Sequence, residues 1–217
     1  MGFMGIVLLA KFRPINNPKH ACPLVVYTNI ARDCHNDNMA KAFAAATEQD
    51  YHLYYANDTR GCGHKKRQLK GLAAEVAWSV PVKEVNNLGG RVPFVPGMPV
   101  FCTGNIATEL GISNGSPGKL VNIVYKEEDG RRYAISADVD FEAYTNSDRN
   151  AVHPHRVTLQ PVKHQIQYFL PGSDEPYHAT CSQLLLIPAF AFTSHNAQGC
   201  SLDVCCIDLA SCTSIQS

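Results

Sequence analysis

The chain has 217 residues, 45% of them hydrophobic and 18% charged, a balance that excludes long disorder, collagen and coiled coil and fits one domain or two small ones. Nineteen Lys and Arg offset nineteen Asp and Glu, so the formal charge is zero and any polyanionic partner has to be read from local patches. The longest apolar run near the start, Gly5 to Ala10, is far below the roughly 20 residues that span a bilayer, and no small-residue cleavage site follows it. Neither a membrane anchor nor a secretory signal is expected. Nine cysteines, an odd number without a Cys-x-x-Cys pair, read as reduced thiols of an intracellular protein.

In chain order, Leu24 to Thr28 (LVVYT) is a β-branched and aromatic run that predicts a strand, and the following segment to Gln49 is rich in helix formers. Met39, Phe43 and Ala46 fall at helical spacing within it. His52 to Ala56 predicts a second strand. Arg60, Lys65, Lys66, Arg67 and Lys70 then arrive with no acid between them, a local basic patch able to attract phosphates whatever their sequence, or else a solvated loop. The segment Arg67 to Trp78 predicts a short helix ending before Pro81, and Asn86 to Gly90 a turn-rich link. After Val92 the pattern becomes a series of short strands separated by Gly, Pro, Asn and Asp, with Asn114-Gly115 and Asp129-Gly130 as the sharpest turns. From Gln183 the first pattern returns: LLLIPAFAF as one buried strand, TSHNAQG as a tight turn or short helix, and VCCIDL as another apolar strand. The two ends are therefore expected to share one sheet, with a small barrel or SH3-like β module inserted between them.

Several catalytic patterns fail on context. A Walker loop, G-x-x-x-x-G-K-[ST], is absent from the 217 residues; the only Gly-Lys pair, Gly118-Lys119, is followed by Leu120 and has Ser113 where the first glycine should stand. The apolar run Val204 to Asp208 reads as a strand ending in a capping acid. Gly111-Ile112-Ser113-Asn114-Gly115 matches a nucleophile elbow, but Pro117 and Gly118 follow too soon for the helix that an elbow needs, so it reads as a turn. The pairs His153/His155 and Cys62/His64 lack the further ligands of a closed tetrahedral site, and Cys205 and Cys206 read as small core residues. No catalytic residue and no metal site are assigned.

The more specific signal runs from Ala189 to Leu209. A buried strand there delivers Thr193, Ser194, His195, Gln198 and Gly199 together to its carboxyl end, the edge at which open α/β sheets place ligands. Hydroxyls, an imidazole, an amide and backbone N–H groups suit an anion or phosphodiester; capping by Thr193 or Ser194 accounts for them equally well.

These residues resemble the petite-integration-frequency (Pif) ATP-dependent DNA helicases, in particular the version carried by helitron transposons. Thr193 to Leu202 is similar to the family's T-x-H-K-x-Q-G-x-[ST]-L motif. Gly97-Met98-Pro99-Val100 with Asn105, then Asn114-Gly115-Ser116 and Gly118, resembles its G-x-P-V…N…N-G-x-x-G stretch. Pro23 to Val26 with Asn29, Arg32, Asp33 and Asn36, and then Tyr55, Ala56 and Asp58, resemble the opening of the second RecA-like lobe. Together the matches run over nearly the whole chain from Cys22 onward. Two positions depart from the pattern: Asn196 stands where the motif has a lysine, and Thr28 where an arginine commonly precedes the first asparagine. Each removes a cation worth about 1 kcal/mol or more toward a phosphate.

The resemblance implies an α/β fold: a second RecA-like lobe begun by residues 1–90, an inserted SH3-like β-barrel module over 91–178, and the remainder of the lobe over 179–217, cut before its arginine finger. It implies nucleic-acid contact through Thr193, Ser194, His195, Gln198 and Asn105, and coupling to the nucleotide cleft through Gln198, Gly199 and Asn29. ATP and magnesium belong to the full-length helicase, whose Walker motifs sit in a preceding RecA-like lobe; this chain alone is expected to need no cofactor and to turn over no ATP. The expected partners are single-stranded DNA and that missing lobe, in the nucleus or alternatively the mitochondrion, and not a membrane. A stand-alone nucleic-acid-binding module and a functionless relic are the alternatives.

Overall fold

The computed structural model describes residues 23–61, 63–80, 88–146, 151–194 and 205–208. The chain enters as strand β1 (Leu24–Val26) and passes directly into helix α1 (Asn29–Ala46). Thr28 is the N-cap, its Oγ1 accepting the Ala31 N–H at 3.2 Å. Arg32, Asn36, Ala40, Phe43 and Ala44, spaced three or four apart, form the buried face of α1. The helix stops where Glu48 takes a left-handed φ of 54°.

β1 is the centre of a three-stranded parallel sheet. On one side it pairs with β13 (Ala191–Thr193), in the register Leu24 to Ala191 and Val26 to Thr193. On the other it pairs with β14 (Cys206–Ile207). Residues from opposite ends of the sequence thus meet in one sheet. Cys205 is exposed and Cys206 half-buried, not the core pair the apolar run suggests, because β14 is an edge strand among the described elements.

The second body is a seven-stranded, nearly closed barrel. Its path is β12 (Leu186–Pro188), β6 (Pro99–Cys102), β7 (Pro117–Glu128), β8 (Arg131–Asp140), β2 (His52–Tyr55) and β5 (Arg91–Phe94), with β9 (Arg156–Leu159) paired to β8. β5 returns against β12 and nearly closes the ring. The sheet therefore takes β2 from before residue 91 and β12 from after residue 178. The β7–β8 hairpin turns at Asp129-Gly130, both at positive φ (52° and 70°), as a two-residue turn matched to the strand twist requires. Gly118 is fixed by contact: a Cβ there would lie 2.7 Å from Val139 and 3.0 Å from Phe141. Phe94, Met98, Val100, Leu120, Val139 and Phe141 fill the barrel, and Phe43 and Ala40 of α1 join the same core.

A third sheet orders β10 (Val162–Phe169), β11 (Pro176–Gln183), β3 (Thr59–Arg60) and β4 (Arg67–Gln68). Helix α2 (Gly71–Ser79) belongs to its core, which includes Ala74, Ala77, Trp78, Ile166, Tyr168 and Cys181. The Trp78 indole donates to the Ala56 carbonyl at 3.0 Å and the Tyr168 hydroxyl to the Ala73 carbonyl at 3.0 Å. No helix among the described residues is long and apolar enough to cross a membrane.

The run LLLIPAFAF is not one strand. Its first part pairs antiparallel with β6 in the barrel, a turn follows at Ala189-Phe190, and its second part joins β1 in parallel. The pivot is held by the Ala189 N–H donating to the Pro99 carbonyl at 3.0 Å.

Candidate nucleic-acid interface

All three strands of the small sheet run parallel, so their carboxyl ends gather on one edge. Thr193 ends β13 opposite Val26, and the Ser194 N–H donates to the Val26 carbonyl at 3.1 Å. The Asp208 N–H donates to the Val25 carbonyl at 2.9 Å on the far side. Between them β1 delivers Tyr27, which is 52% exposed, then Thr28 and Asn29, the cap and the first residue of α1. Thr193 is buried, Ser194 exposed and Asn29 half-buried. The end of β13, with Thr193 and Ser194, is thus paired beside β1 just before the connection that carries Thr28 to the amino end of an 18-residue helix. Such an edge offers oxygen and N–H groups, a setting suited to a phosphodiester.

Its position is set from behind by Asn36. The Asn36 amide donates to the Ala191 carbonyl at 3.1 Å and its oxygen accepts the Ala191 N–H at 2.7 Å, so one buried side chain does the work of a neighbouring strand along the edge of β13 that pairs with no described strand. One turn into α1, Arg32 is 3% exposed and pairs with Asp33 at 2.6 Å. Burial holds the Asp33 carboxyl above its ordinary range even though the Arg32 guanidinium pulls it down. Sequence reading names Asn36 only through the resemblance; its spacing from Arg32 and Ala40 on one helix face is the signal that it points inward.

His195, Gln198, Gly199 and Asn196 lie outside the described residues, as does Cys62. Asn105 lies in the loop after β6, where its Oδ1 accepts the Asn114 N–H at 3.1 Å and ties that loop to the Asn114-Gly115 turn. The G-x-S-x-G match occupies this same turn region, with Gly111 and Gly115 at φ of 79° and 87°. No group of three or more His, Cys, Asp or Glu among the described residues is placed to hold a metal ion.

The basic patch is a small hairpin. Arg60 and Arg67 sit directly opposite each other on β3 and β4, with Lys65 in the intervening 3-10 turn and Lys66 after it. Lys70, the N-cap position of α2, is engaged: its Nζ lies 3.0 Å from Asp129 and 3.8 Å from Glu128, pinning the tip of the β7–β8 hairpin. The Arg60 guanidinium lies over the Tyr177 ring of β11 at 4.1 Å. An open groove of about 360 Å³ runs between Arg60, Lys65, Arg67, Lys70, Ala73 and Tyr177. Just before β3, Asp58 is 2% exposed, and neither carboxylate oxygen has a hydrogen-bond partner of good geometry among the described residues. Burial raises its carboxyl to about 6, partly offset by the nearby Cys181 thiol and Ser182 backbone.

No family model matches the chain, and no curated protein matches it. Among solved structures, the Pif1 helicase from Candida albicans superposes with a TM-score of 0.54 at 17% identity, over 90% of this chain and 41% of that one. The chain has a Pif1-like helicase fold. A Bacteroides Pif1 structure bound to ssDNA also matches, with a TM-score of 0.49 at 15% identity, over 86% of this chain and 34% of that one. The chain thus spans less than half the length of the helicase chains it matches. The mixed α/β structure contains a sheet that resembles a RecA-like helicase lobe, beside the nearly closed barrel.

Proposed function

We propose that this chain is a fragment of an ATP-dependent DNA helicase of the Pif, helitron-type family, supplying the second RecA-like lobe with an inserted SH3-like β module centred on residues 91–178. In this reading it contacts single-stranded DNA along the carboxyl edge of the parallel sheet. Thr193, Ser194 and His195 face the backbone, with Asn105 on the barrel side. Gln198, Gly199 and Asn29 couple DNA to the nucleotide cleft. ATP and magnesium are bound only when a preceding lobe brings Walker motifs, because transfer of the terminal phosphoryl group needs a metal and a lysine from one lobe and an arginine from the other. The setting is intracellular, the nucleus first.

One observation carries this reading: Thr193-Ser194 and Thr28-Asn29, far apart in sequence, meet at one edge of a parallel sheet beside a helix amino terminus. The ordered helicase-like motifs and the fold likeness to the Candida protein support it. The test is binding of the chain to a fluorescent oligodeoxythymidine, followed by anisotropy. Replacing Ser194 and His195 together by alanine removes up to two hydrogen-bonding groups and is expected to weaken binding about tenfold, roughly 1.4 kcal/mol. Unchanged affinity in a folded variant would remove the sheet edge from the interface.

A further inference from the structure

The β3–β4 hairpin sets two like charges against each other on its exposed face. Like charges directly opposite on paired strands repel, and Arg60 and Arg67 are such a pair, both exposed, on strands only two residues long. Lys65 and Lys66 follow in the same connection, and no carboxylate among the described residues forms an ion pair with any of these four cations. Lys70 differs: it is already neutralised by Asp129 and Glu128. The concentration of charge is thus not a general property of the surface but a feature of the hairpin and the groove beside it.

The groove also has an aromatic wall from a distant part of the chain. The Tyr177 ring on β11 lies 5.2 Å from the Tyr168 ring and 4.1 Å from the Arg60 guanidinium. Arg60 is exposed beside this ring, and an exposed guanidinium next to an aromatic side chain stacks nucleobases while neighbouring cations take phosphates. An acidic peptide would use the charge and leave the stacked plane idle. A nucleic-acid strand uses both.

We propose that the groove between the β3–β4 hairpin, α2 and Tyr177 is a second nucleic-acid contact, separate from the sheet edge, in which Arg60, Lys65 and Arg67 hold consecutive phosphates of a single strand and the Arg60–Tyr177 stack receives a base. It rests on the reading of the chain as a single-strand binder and adds where the charge-dependent part of that binding resides. The sheet edge carries hydroxyls and amides; the groove carries the cations.

The test is the salt dependence of binding to a fluorescent oligomer of roughly sixteen deoxythymidines, with the protein's thermal unfolding recorded alongside. Three phosphate contacts on single-stranded DNA contribute a slope of about −2 in log affinity against log salt. The triple variant Arg60→Gln, Lys65→Gln, Arg67→Gln is expected to flatten the slope by about 2. It should lose roughly a hundredfold in affinity at 0.1 M salt and converge with the native chain near 1 M. Lys41→Gln, on the exposed side of α1 and paired with Asp37, serves as the control and leaves the slope unchanged. A native slope that the triple variant keeps overturns the groove while leaving the sheet edge standing. A native chain that binds no oligomer at any salt overturns both.

Discussion

The sheet edge and the basic groove are built in opposite ways. At the edge, the described candidate groups are located by specific hydrogen bonds: Asn36 bonds both polar atoms of Ala191, Thr28 caps α1, and Ser194 continues the ladder onto Val26. No cation is exposed on the described part of that edge, since Arg32 is buried and committed to Asp33. In the groove the candidate groups are exposed cations on strands two residues long, located chiefly by the Arg60–Tyr177 stack. The contrast is that between positioning and attraction. Groups held to within a few tenths of an ångström fix where a strand lies, while long charged side chains set how strongly, and with what salt dependence, it is drawn in.

The contrast can be broken most severely at Asn36. Asn36→Ala leaves the Ala191 N–H and carbonyl buried without partners, at about 1 to 3 kcal/mol each. A loss of about 2 to 6 kcal/mol in denaturant unfolding is expected, together with weaker oligonucleotide binding, whereas groove substitutions leave stability nearly intact. A loss below 1 kcal/mol would mean that β13 does not depend on this side chain.

Asp58, buried just before β3, should give the next largest effect and the only one with a marked pH signature. Its carboxyl titrates at about 6 in the folded chain against 3.8 ordinarily. Between these values the folded state holds a proton that the unfolded state has lost, so its contribution to stability is present at low pH and falls away as pH rises through about 6. The full difference is about 3 kcal/mol. Asp58→Asn cannot ionise, and its stability relative to the native chain should therefore rise steadily between pH 4 and pH 7 and level off beyond. A difference that stays flat across that range would place Asp58 in contact with water or a cation.

The smallest effect sharpens the comparison from the other side. Arg67→Gln relieves the repulsion across the β3–β4 pair and is expected to raise stability by a few tenths of a kcal/mol at low salt, vanishing at high salt. On the proposed reading the same substitution is expected to weaken DNA binding. A residue whose removal stabilises the fold while impairing binding is kept for the ligand; a destabilised Arg67→Gln would make the hairpin a structural element instead.

Much of this architecture is legible in the sequence where the signal is local. The β1–α1 unit follows from a β-branched run and an alanine-rich segment of helix formers, while Thr28, which the sequence assigns to the strand, serves as the helix cap. The β7–β8 hairpin follows from Asp129-Gly130 between alternating segments. What stays hidden depends on partners distant in the chain. LLLIPAFAF gives no sign of changing sheets at Ala189, because both halves are buried and apolarity alone does not name a neighbour. β2 follows α1 yet pairs with β5 and β8 in the barrel, which the short run His52 to Ala56 cannot announce. For the site, the position of Thr193 and Ser194 at a strand end is readable from hydropathy, but their pairing with Val26 is not. The basic patch is plain as composition, yet its aromatic wall is not, since Tyr177 reaches Arg60 only through the pairing of β11 with β3.

The most direct measurement is photocrosslinking of the chain to an oligonucleotide carrying bromodeoxyuridine, with the adducts mapped by mass spectrometry. Tyr27 stands exposed at the sheet edge and Tyr177 lines the groove, so adducts are expected on the peptides containing these two residues and on the peptide that contains Ser194. Adducts confined to the outer strands of the barrel, or none at binding concentrations, would contradict a DNA-binding sheet edge.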